Sequence, residues 1–262
     1  MSSLLLEDTS SPPPPSPSGS ASLDSGKVGT QSKRPFSVSQ TEQRVKARRL
    51  EGTSSSDYEL TKAQDDRKVE SAVLTLRMQR LSEYTQPVYI TPMAKPSLQS
   101  DDDTLFPLME KVKDFLAGDR QVMLILGDSG AGKSTFNRHL EHELWQDYHP
   151  SGRIPLFINL PALERPEKEL VAEQLRTHDF TDDQIRGLKQ HSQFILICDG
   201  YDEIQLTSNL HTTNLLNRPG QWNVKLLITC RSQYLGPDYR GCFVPKAEGK
   251  YNCAADDLFM QA

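Results

Sequence analysis

The sequence predicts an α/β fold, three-layered α/β/α around a mostly parallel sheet, and three observations predict it. Short runs such as VMLIL (122–126), IPLFINL (154–160), FILIC (194–198) and VKLLIT (224–229) are apolar at nearly every position, as strands buried on both faces are. Helical patterns at 133–147, 167–176 and 182–190 alternate with them, and that alternation specifies a parallel sheet covered on two sides. The first run passes directly into a glycine-rich stretch, GDSGAGKST (127–135), and then into a helix.

Composition divides the 262 residues into three parts. Residues 1–56 are Ser/Pro-rich (SSPPPPSPSGSAS) and are expected to be a disordered tail, since they cannot bury enough apolar surface to offset the entropy of ordering. The proline run suits an SH3 or WW module, or simply a solvated tail. Two small basic clusters, KRPF at Lys33 and VKARRL at Val45, fit a nuclear-import signal or ordinary tail residues. Residues 57–104 read as a helix and a connector. Leu60, Ala63, Val69, Val73, Leu76 and Leu81 lie near helical spacing over 58–84, and that helix either packs on the next domain or binds a partner. Pro87 ends it. PVYITPMAKPS (87–97) is expected to be extended, and the acidic run 101–103 to cap the helix after it.

Residues 105–262 hold the expected core, roughly 160 residues, enough for one domain. Its first element is an amphipathic helix over 105–117 with Leu105, Leu108, Val112, Phe115 and Leu116 on one stripe, ended by Gly118. A short helix is expected near 209–216. The formal net charge of −5 argues against a nucleic-acid partner, which calls for a basic face. No apolar run has the length of a membrane span, and Leu4–Leu6 is too short for a signal-peptide core. Cys198, Cys230, Cys242 and Cys253 show no metal-ligand spacing, and thiols without a disulfide framework suit a reducing compartment. A soluble, cytoplasmic protein is expected.

Three motifs carry chemistry. GDSGAGKST satisfies G-x-x-x-x-G-K-[ST] between a strand and a helix. Gly127, Asp128, Ser129, Gly130, Ala131, Gly132, Lys133, Ser134 and Thr135 are therefore the expected nucleotide-binding residues. Glycines turn backbone N–H groups toward phosphate oxygens, and the following helix points its positive end at the same anion. Lys133 neutralises the β- and γ-phosphates, and Ser134 ligates Mg²⁺. In FILICDGYDE (194–203) an apolar run ends in Asp199, where ligands of open α/β sheets bind. Asp199 is the expected Mg²⁺ carboxylate, direct or second-sphere. Gly200 leaves room behind it, and Asp202 or Glu203 orients or deprotonates the attacking water. In LLITCRS (226–232), Arg231 follows a strand toward the same crevice and either reads the γ-phosphate or is an ordinary surface arginine. His139 and His142, on the helix after the loop, are expected at the surface.

GDSGAGKS, ICDGYDE and LLITCRS together resemble the NACHT group of STAND-type P-loop NTPases, whose mark is a small residue directly after the Mg²⁺ aspartate and an acidic residue three positions on, here Gly200 and Asp202. PLFINLPAL (155–163) resembles the second strand of such domains. The wording is similar to NACHT proteins of early-branching fungi, and the resemblance covers about 87–262. It implies ATP or GTP binding, slow hydrolysis and a nucleotide-driven switch coupled to oligomerisation. It also implies a sheet order that places the Arg231 strand between those of Lys133 and Asp199. The family pattern continues with a fifth strand, a helical lid, a winged helix and a repeat sensor. LFMQA (258–262) is expected to be only the start of the fifth strand, so the module reads as truncated after the strand preceding Arg231, with VMLIL left as a bare apolar edge. The absence of an NKxD run favours ATP over GTP. Three functions are open on this reading: a Mg²⁺-dependent NTPase switch, a non-enzymatic interaction module with unknown protein partners, and a P-loop kinase of a small molecule.

Overall fold

The computed structural model describes residues 55–85, 88–96, 105–204, 208–234, 239–243 and 255–261. The Ser/Pro-rich tail, both basic clusters, the acidic run 101–103 and Cys253 lie outside them. In chain order the elements are α1 (Ser55–Glu83), β1 (Met93–Lys95), β2 (Phe106–Pro107), α2 (Leu108–Ala117), β3 (Val122–Leu126), α3 (Lys133–Gln146) and β4 (Ile154–Asn159). They continue with α4 (Pro166–Arg176), α5 (Asp182–His191), β5 (Gln193–Asp199), α6 (Leu210–Thr213), β6 (Asn223–Cys230), α7 (Arg240–Phe243) and β7 (Ala255–Gln261). Among the described residues no helix is long and apolar enough to cross a membrane.

The strands form one sheet in the order β2-β1-β7-β3-β6-β5-β4. From β7 to β4 every pairing is parallel, and β1 and β2 add an antiparallel margin beyond β7. β6 thus separates β3, which carries the glycine-rich loop, from β5, which ends in Asp199. The sheet does not stop at the strand preceding Arg231. β7 lies parallel to β3, with Val122 opposite Ala255 and Leu126 opposite Phe259, so the apolar edge expected at VMLIL is paired.

Successive side chains on a strand point to opposite faces, and the apolar runs accordingly divide between two cores. Leu124, Leu196, Leu226 and Ile228 join Leu170, Val171 and Leu188 of α4 and α5 on one face. Met123, Ile125, Ile195, Ile197 and Leu227 join Val112 and Phe115 of α2 and Phe136 and Leu140 of α3 on the other. These are the three layers expected. Thr181 caps α5 in a reciprocal arrangement with Gln184.

The long helix α1 packs against both α3 and α5, bridging the two helical layers at the β4 edge. Val73 and Leu76 are its buried residues. Arg77 donates to Trp145 O (2.9 Å) and Gln146 O (3.1 Å), two carbonyls at the end of α3. Arg80 forms a forked pair with Glu141 of α3, whose side chain is only 6% exposed.

Two local expectations are corrected. The helix expected from Leu105 begins at Leu108, because Pro107 disfavours helical backbone at Phe106 and the two residues pair with β1 instead. His139 and His142 are not free surface residues. The Tyr89 ring stacks on His139 at 3.5 Å between centroids, and Tyr84 stacks on His142 at 4.1 Å. The Tyr84 hydroxyl and His139 Nδ1 are 2.8 Å apart, so the connector is fastened across α3.

Candidate functional site

The chain leaves β3 at Gly127, whose N–H donates to Cys230 O at the end of β6 (3.3 Å). Gly130 and Gly132 have φ of +82° and +83°, and a Cβ at either would meet nothing within 4 Å. Conformation rather than crowding therefore selects glycine at both. α3 begins at the next residue, so the N-terminus of a 14-residue helix faces the loop. Lys133 curls over that loop, and its Nζ donates to Gly127 O (2.7 Å) and Asp128 O (2.8 Å). Burial lowers the Lys133 pKa, opposed by nearby Asp202. An ammonium partly stripped of water in this way gains from an incoming anion.

Asp199 closes β5. Its Oδ1 accepts from Thr229 Oγ1 (2.7 Å) and Asn137 Nδ2 (2.8 Å), and Oδ2 accepts from no protein donor among the described residues. Gly200 follows at φ +78°, where a Cβ would lie 3.2 Å from Pro161 Cδ. The chain then makes a 3-10 turn, Tyr201–Glu203. Tyr201 anchors the turn by packing edge-on to Phe243, and its hydroxyl donates to Ser208 O (3.2 Å).

Asp202 and Glu203 face different environments. The Asp202 carboxylate, 3% exposed, accepts from the Arg231 backbone N–H at Oδ1 (2.9 Å) and pairs with Arg231 Nε at Oδ2 (2.9 Å). Glu203 is 53% exposed and meets Arg231 Nη2 at 3.3 Å. The next residue after Arg231, Ser232, donates its hydroxyl to Asp128 Oδ1 (2.9 Å), which ties the end of β6 to the phosphate loop. Burial pushes the Cys230 thiol up to about 12 and raises that of Cys198 as well, so neither is a nucleophile at neutral pH.

The expected residues converge. Ser129, Gly130, Gly132, Lys133, Ser134 and Thr135 share one cavity of about 320 Å³ with Asp199, Asp202, Glu203 and Arg231. Gly127, Asp128 and Ala131 shape the loop without lining it. A larger cavity of about 620 Å³ between α1, α3 and β4 shares only Ser134 and Thr135 with it. Another, of about 1020 Å³, lies at the opposite ends of the strands, near Gln121, Gln193 and Asn223. Neither of these two gathers the motif residues.

Sequence reasoning missed Asn137, Thr229 and Ser232. The available signals were a polar residue one turn past Lys133 on a buried helical face and a threonine inside an apolar strand. Ser134 Oγ and Asp199 Oδ2 are hard oxygen donors of the type Mg²⁺ takes. Among the described residues no group of three or more His, Cys, Asp or Glu side chains is placed to hold a metal. An ion here would rely on phosphate and water oxygens for its remaining ligands, as Mg²⁺ commonly does.

Residues 121–247 match the family model of the NACHT domain. No curated protein matches the chain. Among solved structures it is similar to the cytoplasmic domain of the Thermomonospora curvata type VII secretion ATPase EccC, at 17% identity and a TM-score of 0.32. That similarity covers 58% of this chain and 20% of that one.

Proposed function

We propose, on the premise of the NACHT-domain match over residues 121–247, which implies nucleoside-triphosphate binding, that the chain is a Mg²⁺-dependent switch that binds ATP, or GTP, and hydrolyses it slowly. One observation carries the reading. A left-handed glycine loop, a desolvated lysine, a serine at a helix N-terminus, a strand-end aspartate and an arginine from the strand between line the same cavity. The loop N–H groups and α3 hold the phosphates, and Lys133 exchanges its two carbonyl partners for phosphate oxygens. Ser134 and Asp199 hold the Mg²⁺, which when bound neutralises charge on the β- and γ-phosphates.

Glu203 is the better candidate for orienting the attacking water, because its carboxylate is exposed to the cavity while that of Asp202 is saturated by Arg231. Asp202 then aims Arg231, which reads the γ-phosphate. In this reading residues 105–262 are the nucleotide-binding unit and α1 braces it, while signalling output comes through partners or further copies of the chain. Buried free thiols at Cys198 and Cys230 support a reducing, cytoplasmic setting.

The test is Mg²⁺-dependent binding of labelled ATP and GTP to the full chain beside Lys133→Ala. We expect saturable binding by the parent and at least a tenfold loss in the variant, a difference of about 1.4 kcal/mol. Glu203→Gln should bind like the parent and lose turnover. Equal binding by the parent and Lys133→Ala would sink the reading. A specific observation also favours a switch with little turnover: Glu203 is already paired with Arg231, and binding without hydrolysis would establish that form.

A further inference from the structure

We propose that Asn137 is a positioning residue for the metal site, holding the Asp199 carboxylate so that one oxygen is committed to the protein and the other is left for the ion. The inference rests on Asp199 being the Mg²⁺ carboxylate.

Asn137 lies one helical turn after Lys133 on α3 and has no exposed surface. A fully buried amide is costly unless it is bonded, and this one donates from Nδ2 to Asp199 Oδ1 (2.8 Å) and Thr229 Oγ1 (3.2 Å). Thr229 in turn donates to the same Asp199 oxygen at 2.7 Å, while its other acceptor, Cys198 O, is at 3.5 Å. Two donors from two different elements therefore converge on Oδ1. Bonds to an ionised acceptor are the strong ones, and together they fix both the position of the carboxylate and which oxygen stays available. Oδ2 has no protein donor among the described residues, and Asp199 lines the cavity with Ser134.

The same amide joins the three elements that build the site. α3 starts at the phosphate loop, β5 ends in Asp199, and β6 carries Thr229 just before Arg231. Among the described residues Asn137 Oδ1 is buried without a hydrogen-bond partner, so the contacts the amide makes to the site run through its NH₂ group. Partners that orient a metal-binding carboxylate typically contribute about 10- to 100-fold to metal affinity.

The experiment measures the affinity of the full chain for a fluorescent ADP with and without Mg²⁺, in the parent, Asn137→Ala, Thr229→Val and Asp199→Ala. The quantity of interest is the ratio of the two affinities. Asn137→Ala is expected to keep its metal-free affinity within about twofold and to lose about tenfold in the Mg²⁺ enhancement. Thr229→Val, which keeps its shape, should lose part of it. An Asn137→Ala protein with the parental enhancement would overturn the proposal, as would one that loses metal-free and Mg²⁺-dependent binding equally. If Asn137→Ala does not fold, full enhancement in Thr229→Val overturns it. Asp199→Ala separates the two levels: if it abolishes the enhancement while Asn137→Ala does not, the Asp199 assignment stands and only the role of Asn137 falls. If Asp199→Ala keeps the enhancement, both fall.

Discussion

Replacing Gly200 with alanine should destabilise the chain through two separable effects. The backbone there has φ +78°, and a left-handed conformation costs an L-residue with a Cβ about 1–2 kcal/mol. The added methyl would also stand 3.2 Å from Pro161 Cδ and 3.3 Å from its Cγ. Pro161 lies in a short 3-10 turn after β4 and has a rigid ring, so the backbone must give way, at about 1–2 kcal/mol, toward the low end for overpacking. The total is about 2–4 kcal/mol, a large share of the ~5–15 kcal/mol that holds a typical domain together. Urea unfolding of Gly200→Ala, Pro161→Ala and the double variant measures it. Pro161→Ala removes both clashing carbons, so the double variant should recover the packing part and retain the conformational part. A loss below about 0.5 kcal/mol in Gly200→Ala, or strict additivity in the double variant, would refute this account of why a small residue follows Asp199.

Other expectations come from buried charge. Arg80→Ala strands the Glu141 carboxylate, leaving it, among the described residues, only the Phe157 N–H at 3.3 Å, and should cost about 3 kcal/mol, whereas Arg80→Met with Glu141→Leu should cost less than half of that; urea midpoints decide. His211 lies near Gln121 and Asn217, and burial, with Arg218 adding to it, depresses its pKa to about 4. The unfolded chain takes up that proton near 6.5. Stability is therefore complete above pH 6.5 and falls as pH drops toward 4, by on the order of 3 kcal/mol in all. His211→Gln should flatten that part of the pH profile of thermal unfolding.

Much of the site was legible because its chemistry is contiguous in sequence. Lys133 follows its glycines directly, and Asp199 ends the strand that positions it. What escaped was held by long-range contact. Asn137 meets Asp199 across 62 residues and Thr229 meets it across 30, and no helical or strand periodicity names a partner. β1 is only three residues long and flanked by prolines, and its pairing with β7 supplies what local pattern does not. Pro107 was an available signal, since it explains the late start of α2. The aromatic cover on His139 and His142 depends on where the connector crosses α3, which spacing does not encode. For Asp202, a position next to Glu203 suggested a shared role, but burial and geometry separate them.

The strand that carries the phosphate loop has no sheet neighbour from nearby in the chain. Val122 pairs with Leu226 on one side and Ala255 on the other, each more than about 100 residues away, a separation that slows folding because loop-closure entropy is lost before contacts form. The pairings of β4 with β5 and of β5 with β6, by contrast, span only 30 to 40 residues. They can therefore assemble first, bringing Asp199, Thr229 and Arg231 together before Lys133 and Ser134 arrive. Nucleotide added during refolding should then bind in step with the slowest phase, and it would stabilise the finished sheet rather than any earlier species.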